Sequence, residues 1–271
     1  MTSLHRSPVP PVWLAGLLVV LVPAAATAQK PATVPPGTPV TIQVTPAPAA
    51  SPPVSITLGK RVGRVVPHRQ GLCHTGGGNI DVAQPAPDTV VVTMTGVAVA
   101  VGSPCGAGVA ALDFDLKQVF EVVFEKSDVK AARLTLECRV IGLLRTHRGG
   151  GTAEATQGCA QVCGETAVPI NLCVPDQAAC CAENVSVNDR EGPVAVSVPA
   201  GKYTLHQVFH LQAAHPRCIL PCKAASAEFA PDPALDPLWI SSKEPFHGAQ
   251  KKDLGFQVTV KVAPQDVPNG K

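Results

Sequence analysis

Leu116-Lys117-Gln118-Val119-Phe120-Glu121-Val122-Val123-Phe124, a turn at Ser127-Asp128, and then Arg133-Leu134-Thr135-Leu136-Glu137-Cys138-Arg139-Val140 is the stretch that decides the fold. Leu116, Phe120, Val122 and Phe124 alternate with Lys117, Glu121 and Glu125. Leu134, Leu136, Cys138 and Val140 alternate with Arg133, Thr135, Glu137 and Arg139. Successive side chains of a strand point to opposite faces, so each run predicts a strand with one buried face, and the pair reads as a hairpin.

The same period continues outward from this pair. Val90, Val92 and Met94 alternate with Val91, Thr93 and Thr95. After Gly96 the bulky residues are Val97, Val99 and Val101, a one-residue shift of phase that predicts a bulge or kink at the glycine. Val194, Val196 and Val198 precede Pro199-Ala200-Gly201-Lys202, after which Tyr203, Leu205, Phe209 and Leu211 share a face, giving a second expected hairpin. Phe256, Val258, Val260 and Val262 form a closing strand, and residues 54–66 form a weaker opening one. About seven strands without an amphipathic helix predict an all-β fold, an antiparallel β-sandwich of Ig-like or jelly-roll-like type over residues 55–264. Two stretches, 147–192 and 213–252, are rich in Gly, Cys or Pro and read as long loops cross-linked by disulfides.

The amino-terminal region carries different signals. A basic start at residues 1–6, an apolar run from Val12 to Val22 and the small residues of Ala26-Thr27-Ala28 predict a secretory signal peptide over residues 1–28. The run is shorter than the about 20 apolar residues of a membrane-spanning helix, so no transmembrane segment is expected after cleavage. Residues 29–54 include eight prolines and almost no charge, which predicts a Pro-rich disordered leader. The chain is therefore expected to be exported, to the periplasm, the cell surface or the medium. Residues 265–271 read as a tail.

Composition excludes some functions. The roughly 240 residues left after cleavage suffice for a real core. The formal net charge of +2 leaves no basic footprint, so nucleic acid is not an expected partner. Trp239 and Tyr203 are the only Trp and Tyr beyond the signal peptide, too few for an aromatic platform that stacks on sugars or bases.

Ten cysteines follow the signal peptide: Cys73, Cys105, Cys138, Cys159, Cys163, Cys173, Cys180, Cys181, Cys218 and Cys222. In an oxidising compartment they are expected to form disulfides. Spacing alone does not choose among the many pairings. Cys138 shares a face with Leu136 and Val140, which places any partner of its thiol in or beside the core. Adjacent cysteines bond to one another only in a strained ring, so Cys180 and Cys181 are expected to reach different partners. The rival is a zinc or copper site drawing on Cys159-x3-Cys163, Cys218-x3-Cys222 and histidines.

His206 and His210 are four apart, as in a zinc-protease helix, but on a strand they stand roughly 13 Å from one another and cannot share one ion. Gln207 also replaces the glutamate which that motif requires. His68, His74 and His215 complete the candidate ligand set. Cys73-His74-Thr75-Gly76-Gly77-Gly78-Asn79 reads as a flexible turn. Residues 102–106, including Ser103, offer no nucleophile elbow. Asp113-Phe114-Asp115 puts two carboxylates on one strand face, either a polar surface or a calcium site or acid/base pair, though the EF-hand loop pattern is absent. Asn184-Val185-Ser186 fits a glycosylation acceptor.

No catalytic constellation stands out. The leading expectation is a non-enzymatic binding or structural module without a cofactor, meeting a protein or cell-surface partner through the Cys-rich segments. One alternative is a copper or zinc protein using His68, His74, His206, His210 or His215. Another is a secreted hydrolase built on Asp113, Asp115 and a histidine.

Overall fold

The computed structural model describes residues 53–71, 74–101, 107–146, 150–165, 169–181, 183–216, 224–229 and 255–265. All belong to one compact unit, Ala50–Lys271. The expected signal peptide and most of the Pro-rich leader and of the tail lie outside them, as do Cys73, Ser103, Cys105, Cys218, Cys222 and Trp239.

The described residues are all-β and form two antiparallel sheets. In chain order the strands are β1 (Val54–Gln70), β2 (His74–Ala86), β3 (Thr89–Val101), β4 (Gly108–Phe124), β5 (Ala132–Arg145) and β6 (Thr152–Gly164). They continue with β7 (Ile170–Cys173), β8 (Gln177–Cys180), β9 (Asn184–Val198), β10 (Gly201–His215), β11 (Ala224–Phe229) and β12 (Gly255–Pro264). Sheet A runs β1-β4-β10-β6, with β7 and β8 both on the far side of β6. Sheet B runs β2-β3, then β12 and β11 together, then β5-β9.

Two positions in these sheets are filled by split strands. β7 pairs with residues 159–162 of β6 and β8 with residues 152–155, so the two lie end to end along one edge. β12 pairs with residues 89–94 of β3 and β11 with residues 96–101, so they also lie end to end, between β3 and β5. Counted by position, each sheet is five strands wide.

The inner faces share one core. Leu112, Phe114, Leu116, Phe120 and Val122 of β4 and Leu205, Phe209 and Leu211 of β10 meet Met94 of β3, Leu134 and Leu136 of β5, and Phe256 and Val258 of β12. Phe209 joins the layers: its ring lies 6.0 Å from Phe114 within sheet A, and 5.5 and 5.2 Å from Phe229 and Phe256 of sheet B. Burying each such side chain contributes about 1.5–3 kcal/mol.

Several expectations are corrected. The stretch from Leu116 to Val140 is not a hairpin, because β4 bonds to β1 and β10 in sheet A while β5 bonds to β9, β11 and β12 in sheet B. The β9–β10 pair is separated in the same way. Alternation fixes which face is buried and leaves the pairing partner open, and here the chain steps between layers at both turns. At the second, the Tyr203 hydroxyl donates to the Pro199 carbonyl at 2.8 Å and ties the corner down.

No phase shift occurs at Gly96. Even-numbered residues of β3 point inward throughout, and the register with β2 runs unbroken across this point. Gly96 and Gly78 are small for a different reason: a Cβ on either would stand 2.6 and 2.5 Å from the Phe114 ring tip. The expected flexible turn at 74–79 is thus strand β2, and Gly78 within it makes room for an aromatic ring.

Residues 147–192 are not a loop, since they contain β6, β7, β8 and the first half of β9. The stretch 213–252 begins inside β10 and contains β11. Among the described residues there are twelve strand segments, where about seven strands were expected. Small residues such as Gly, Ala, Thr and Cys satisfy backbone pairing without advertising an apolar face.

Candidate functional site

The outer face of sheet A carries a linked group of titratable side chains. It follows from the pleat. On β4, Leu112, Phe114 and Leu116 face the core, so Asp113 and Asp115 must face out. Asp113 stands opposite Val66 of β1 and His210 of β10, and Asp115 stands opposite Arg64 and Val208. His68 and His206 lie one diagonal step away on the flanking strands.

Two carboxylate-centred groups result. Asp113 accepts from His68 Nε2 at 2.6 Å through Oδ2 and from His210 Nδ1 at 2.5 Å through Oδ1. Asp115 accepts from His206 Nε2 at 2.9 Å and from the Arg64 guanidinium at 3.1 Å. The Asp113 carboxyl is held below its ordinary value: partial burial raises it, but the hydrogen bonds and charge of His210 and His68 outweigh that. Each bond fixes a tautomer. Neutral His68 and His206 then carry their lone pair on Nδ1, and His210 carries its own on Nε2.

Of the five candidate histidines, the structure brings His68 and His210 together on Asp113. His206, on the same strand face as His210, is held by a different carboxylate. His74 and His215 sit on inward-facing positions of β2 and β10. His215 has Nδ1 3.0 Å from the Pro216 carbonyl, and its buried Nε2, like His74 Nδ1, has no hydrogen-bond partner among the described residues. The five do not form one ligand set. Among the described residues, no three His, Cys, Asp or Glu side chains have the spacing of a metal site.

Beside the array, Cys159 of β6 and Cys173 of β7 face one another in register and form a disulfide, with Cα atoms 4.1 Å apart. It locks the first part of the split edge strand. Cys138, Cys163, Cys180 and Cys181 carry free thiols. Cys138 is sealed in the core with Sγ 3.8 Å from the Leu172 carbonyl. Burial, with smaller contributions from Glu137 and Glu191, pushes its thiol up to about 12.

Every member of the array except Arg64 is a candidate from the sequence alone. Arg64 has no distinctive neighbours in sequence; the β1–β4 register that aims it at Asp115 is its only signal. No protein-family model matches the chain, and no curated protein resembles it significantly in sequence. Among the described residues no helix is long and apolar enough to cross a membrane.

Proposed function

We propose that this chain is an exported, disulfide-stabilised binding module without catalytic activity, and that its contact face is the outer face of sheet A together with the cysteine-bearing edge of β6, β7 and β8. The observation that carries this reading is the two-centred array itself: Arg64, His68, His206 and His210 held on Asp113 and Asp115 across three strands of an open sheet. Oriented polar groups on a hydrogen-bonded sheet suit recognition of a protein or cell-surface partner. Hydrolysis finds less support, because none of the three imidazoles hydrogen-bonds to a hydroxyl or thiol among the described residues.

The type of sandwich belongs to this proposal. Chain-neighbouring strands face one another across the layers in the pairs β3/β4, β10/β11, β5/β6 and β8/β9, and both sheets hold these pairs in the same sequence. That order supports a jelly-roll rather than an Ig-like arrangement, with β1 and β2 added at one side.

The test is co-sedimentation of the mature chain with cell-envelope fragments of the host. An Asp113→Ala, Asp115→Ala variant is expected to weaken retention about tenfold, which is about 1.4 kcal/mol. A Gln257→Ala, Thr259→Ala variant on the other sheet's outer face is expected to leave it unchanged. Equal behaviour of both variants, or no retention of the unaltered chain, would remove the reading.

One observation favours a second reading, copper or zinc binding. Histidine ligands commonly donate their second N–H to a carboxylate, as His68 and His210 do to Asp113. Stoichiometric zinc or copper uptake that is lost in a His68→Ala, His210→Ala variant would favour it over the first.

A further inference from the structure

Cys180 and Cys181 lie where the chain leaves the edge of sheet A at β8 and enters the edge of sheet B at β9. We propose that these two residues bond to one another, forming a vicinal disulfide that closes this corner. The inference reverses the expectation that adjacent cysteines must reach separate partners.

The other described cysteines cannot pair with Cys180. Cys159 and Cys173 are already joined. Cys138 is buried in the core. Cys163 stands opposite Thr204 of β10, whereas Cys180 stands opposite Thr152, which faces Ala214. From Thr204 to Ala214 along a strand is roughly 33 Å, far beyond disulfide reach. Cys181 is the one described thiol within reach of Cys180.

The corner is also shaped for it. Cys181 has φ of 60°, a left-handed conformation that is rare outside glycine, asparagine and aspartate and costs on the order of 1 kcal/mol. Interaction with the adjacent Cys181 side chain raises the Cys180 thiol above its ordinary value. The backbone around them is pinned. Cys180 N–H donates to Glu183 Oε2 at 3.3 Å, Thr146 N–H donates to the Glu183 carbonyl at 2.8 Å, and Glu183 N–H donates to Thr146 Oγ1 at 3.0 Å. Both thiols are exposed and open to an external oxidant.

The chemistry is thiol–disulfide exchange with a low-molecular-weight disulfide or an oxidised dithiol oxidoreductase. One cysteine thiolate attacks a reagent sulfur, forming a mixed disulfide and releasing a thiolate. The neighbouring cysteine thiolate then attacks its partner's sulfur and expels the second. The pair loses two electrons and two protons, and the reagent disulfide is reduced to two thiols.

The fragment Asp176–Glu183 contains Cys180 and Cys181 and no other cysteine. The test uses the full exported chain, unreduced, equilibrated with oxidised glutathione and then treated with N-ethylmaleimide. It is cut before aspartate and after glutamate at mildly acidic pH, and the fragments are weighed. The proposal expects the 176–183 fragment alone, unalkylated and about 2 Da lighter than its dithiol form. The same fragment from a Cys181→Ser variant should instead carry one alkyl group or a glutathione. Recovery of the unaltered fragment joined to another peptide, such as one holding Cys73, Cys105, Cys218 or Cys222, would overturn the proposal. So would recovery with both thiols alkylated.

Discussion

On the outer face of sheet A, Arg64 and His68 stand in the open, Asp113 and Asp115 are half-buried, and Val62 is 58% exposed. On sheet B, Val97, Val99, Ile141 and Leu143 also point away from the core, yet Val99 is 1% exposed. Near them Arg145, Ser226 and Glu228 are buried too, with Ser226 donating to Glu228 at 2.5 Å. The outside of a two-layer protein is therefore not one environment. One sheet leaves much of its outer face to solvent, and the other keeps the end of its outer face that β11 occupies away from water. The same substitution should have very unequal consequences on the two.

The largest effect tests that contrast directly. Val99→Asp places a carboxylate in a dry position and is expected to cost about 4 kcal/mol, a large share of the stability of a domain. Val62→Asp on sheet A is expected to stay within about 0.5 kcal/mol. Urea unfolding midpoints of the two variants would show it, and equal midpoints would break the comparison.

Thiol reactivity extends the contrast to the inner face. With its thiol pushed up to about 12 by burial, Cys138 is expected to react with iodoacetamide about a thousandfold more slowly than exposed Cys163 in the native protein, and at a similar rate in urea. Fast native labelling of Cys138 would mean that the core opens there.

A smaller effect concerns sheet B alone. A Cβ at Gly142 would lie 2.2 Å from the Phe229 ring, so Gly142→Ala is expected to cost about 1–3 kcal/mol by overpacking. A thermal midpoint equal to that of the unaltered protein would show that the ring moves aside freely.

The contrast also explains which features were legible in the sequence. Strands β4, β5, β10 and β12 announced themselves because one face is buried and the other wet, so apolar and polar residues alternate. β3 was misread at Gly96 because Val97 and Val99 are buried on the outer face and mimic a change of phase. β2, β6, β7 and β8 were invisible, since glycine, alanine and cysteine pair without an apolar signature. Pairing partners could not be read at all: whether a turn keeps the chain in one sheet or carries it to the other depends on contacts far along the sequence. For the same reason His68, His206, His210, Asp113 and Asp115 could be named as candidates, but not their grouping. Asp113 meets His68 and His210 only through two separate strand registers.

The smallest effect probes the array. The Asp113 carboxyl is lowered in the folded chain from an ordinary value of 3.8, by the hydrogen bonds and charge of His210 and His68 acting against partial burial. A lowered acid favours folding when ionised. Its contribution is therefore complete above the unfolded value of 3.8 and is lost as the pH falls through the lower folded value. The side chain is 47% exposed, so solvent screening should hold the contribution below about 0.5 kcal/mol. Asp113→Asn removes this titration, so the variant's stability should fall less steeply than that of the unaltered chain between pH 4 and pH 2. Added salt should narrow the difference by screening the His–Asp attraction. Urea midpoints measured at both pH values resolve the effect as a difference of slopes, which cancels any constant cost of the substitution. Parallel slopes would mean that the two imidazoles do not hold the carboxylate in solution, and the outer face of sheet A would then lose the order that distinguishes it from the rest of the surface.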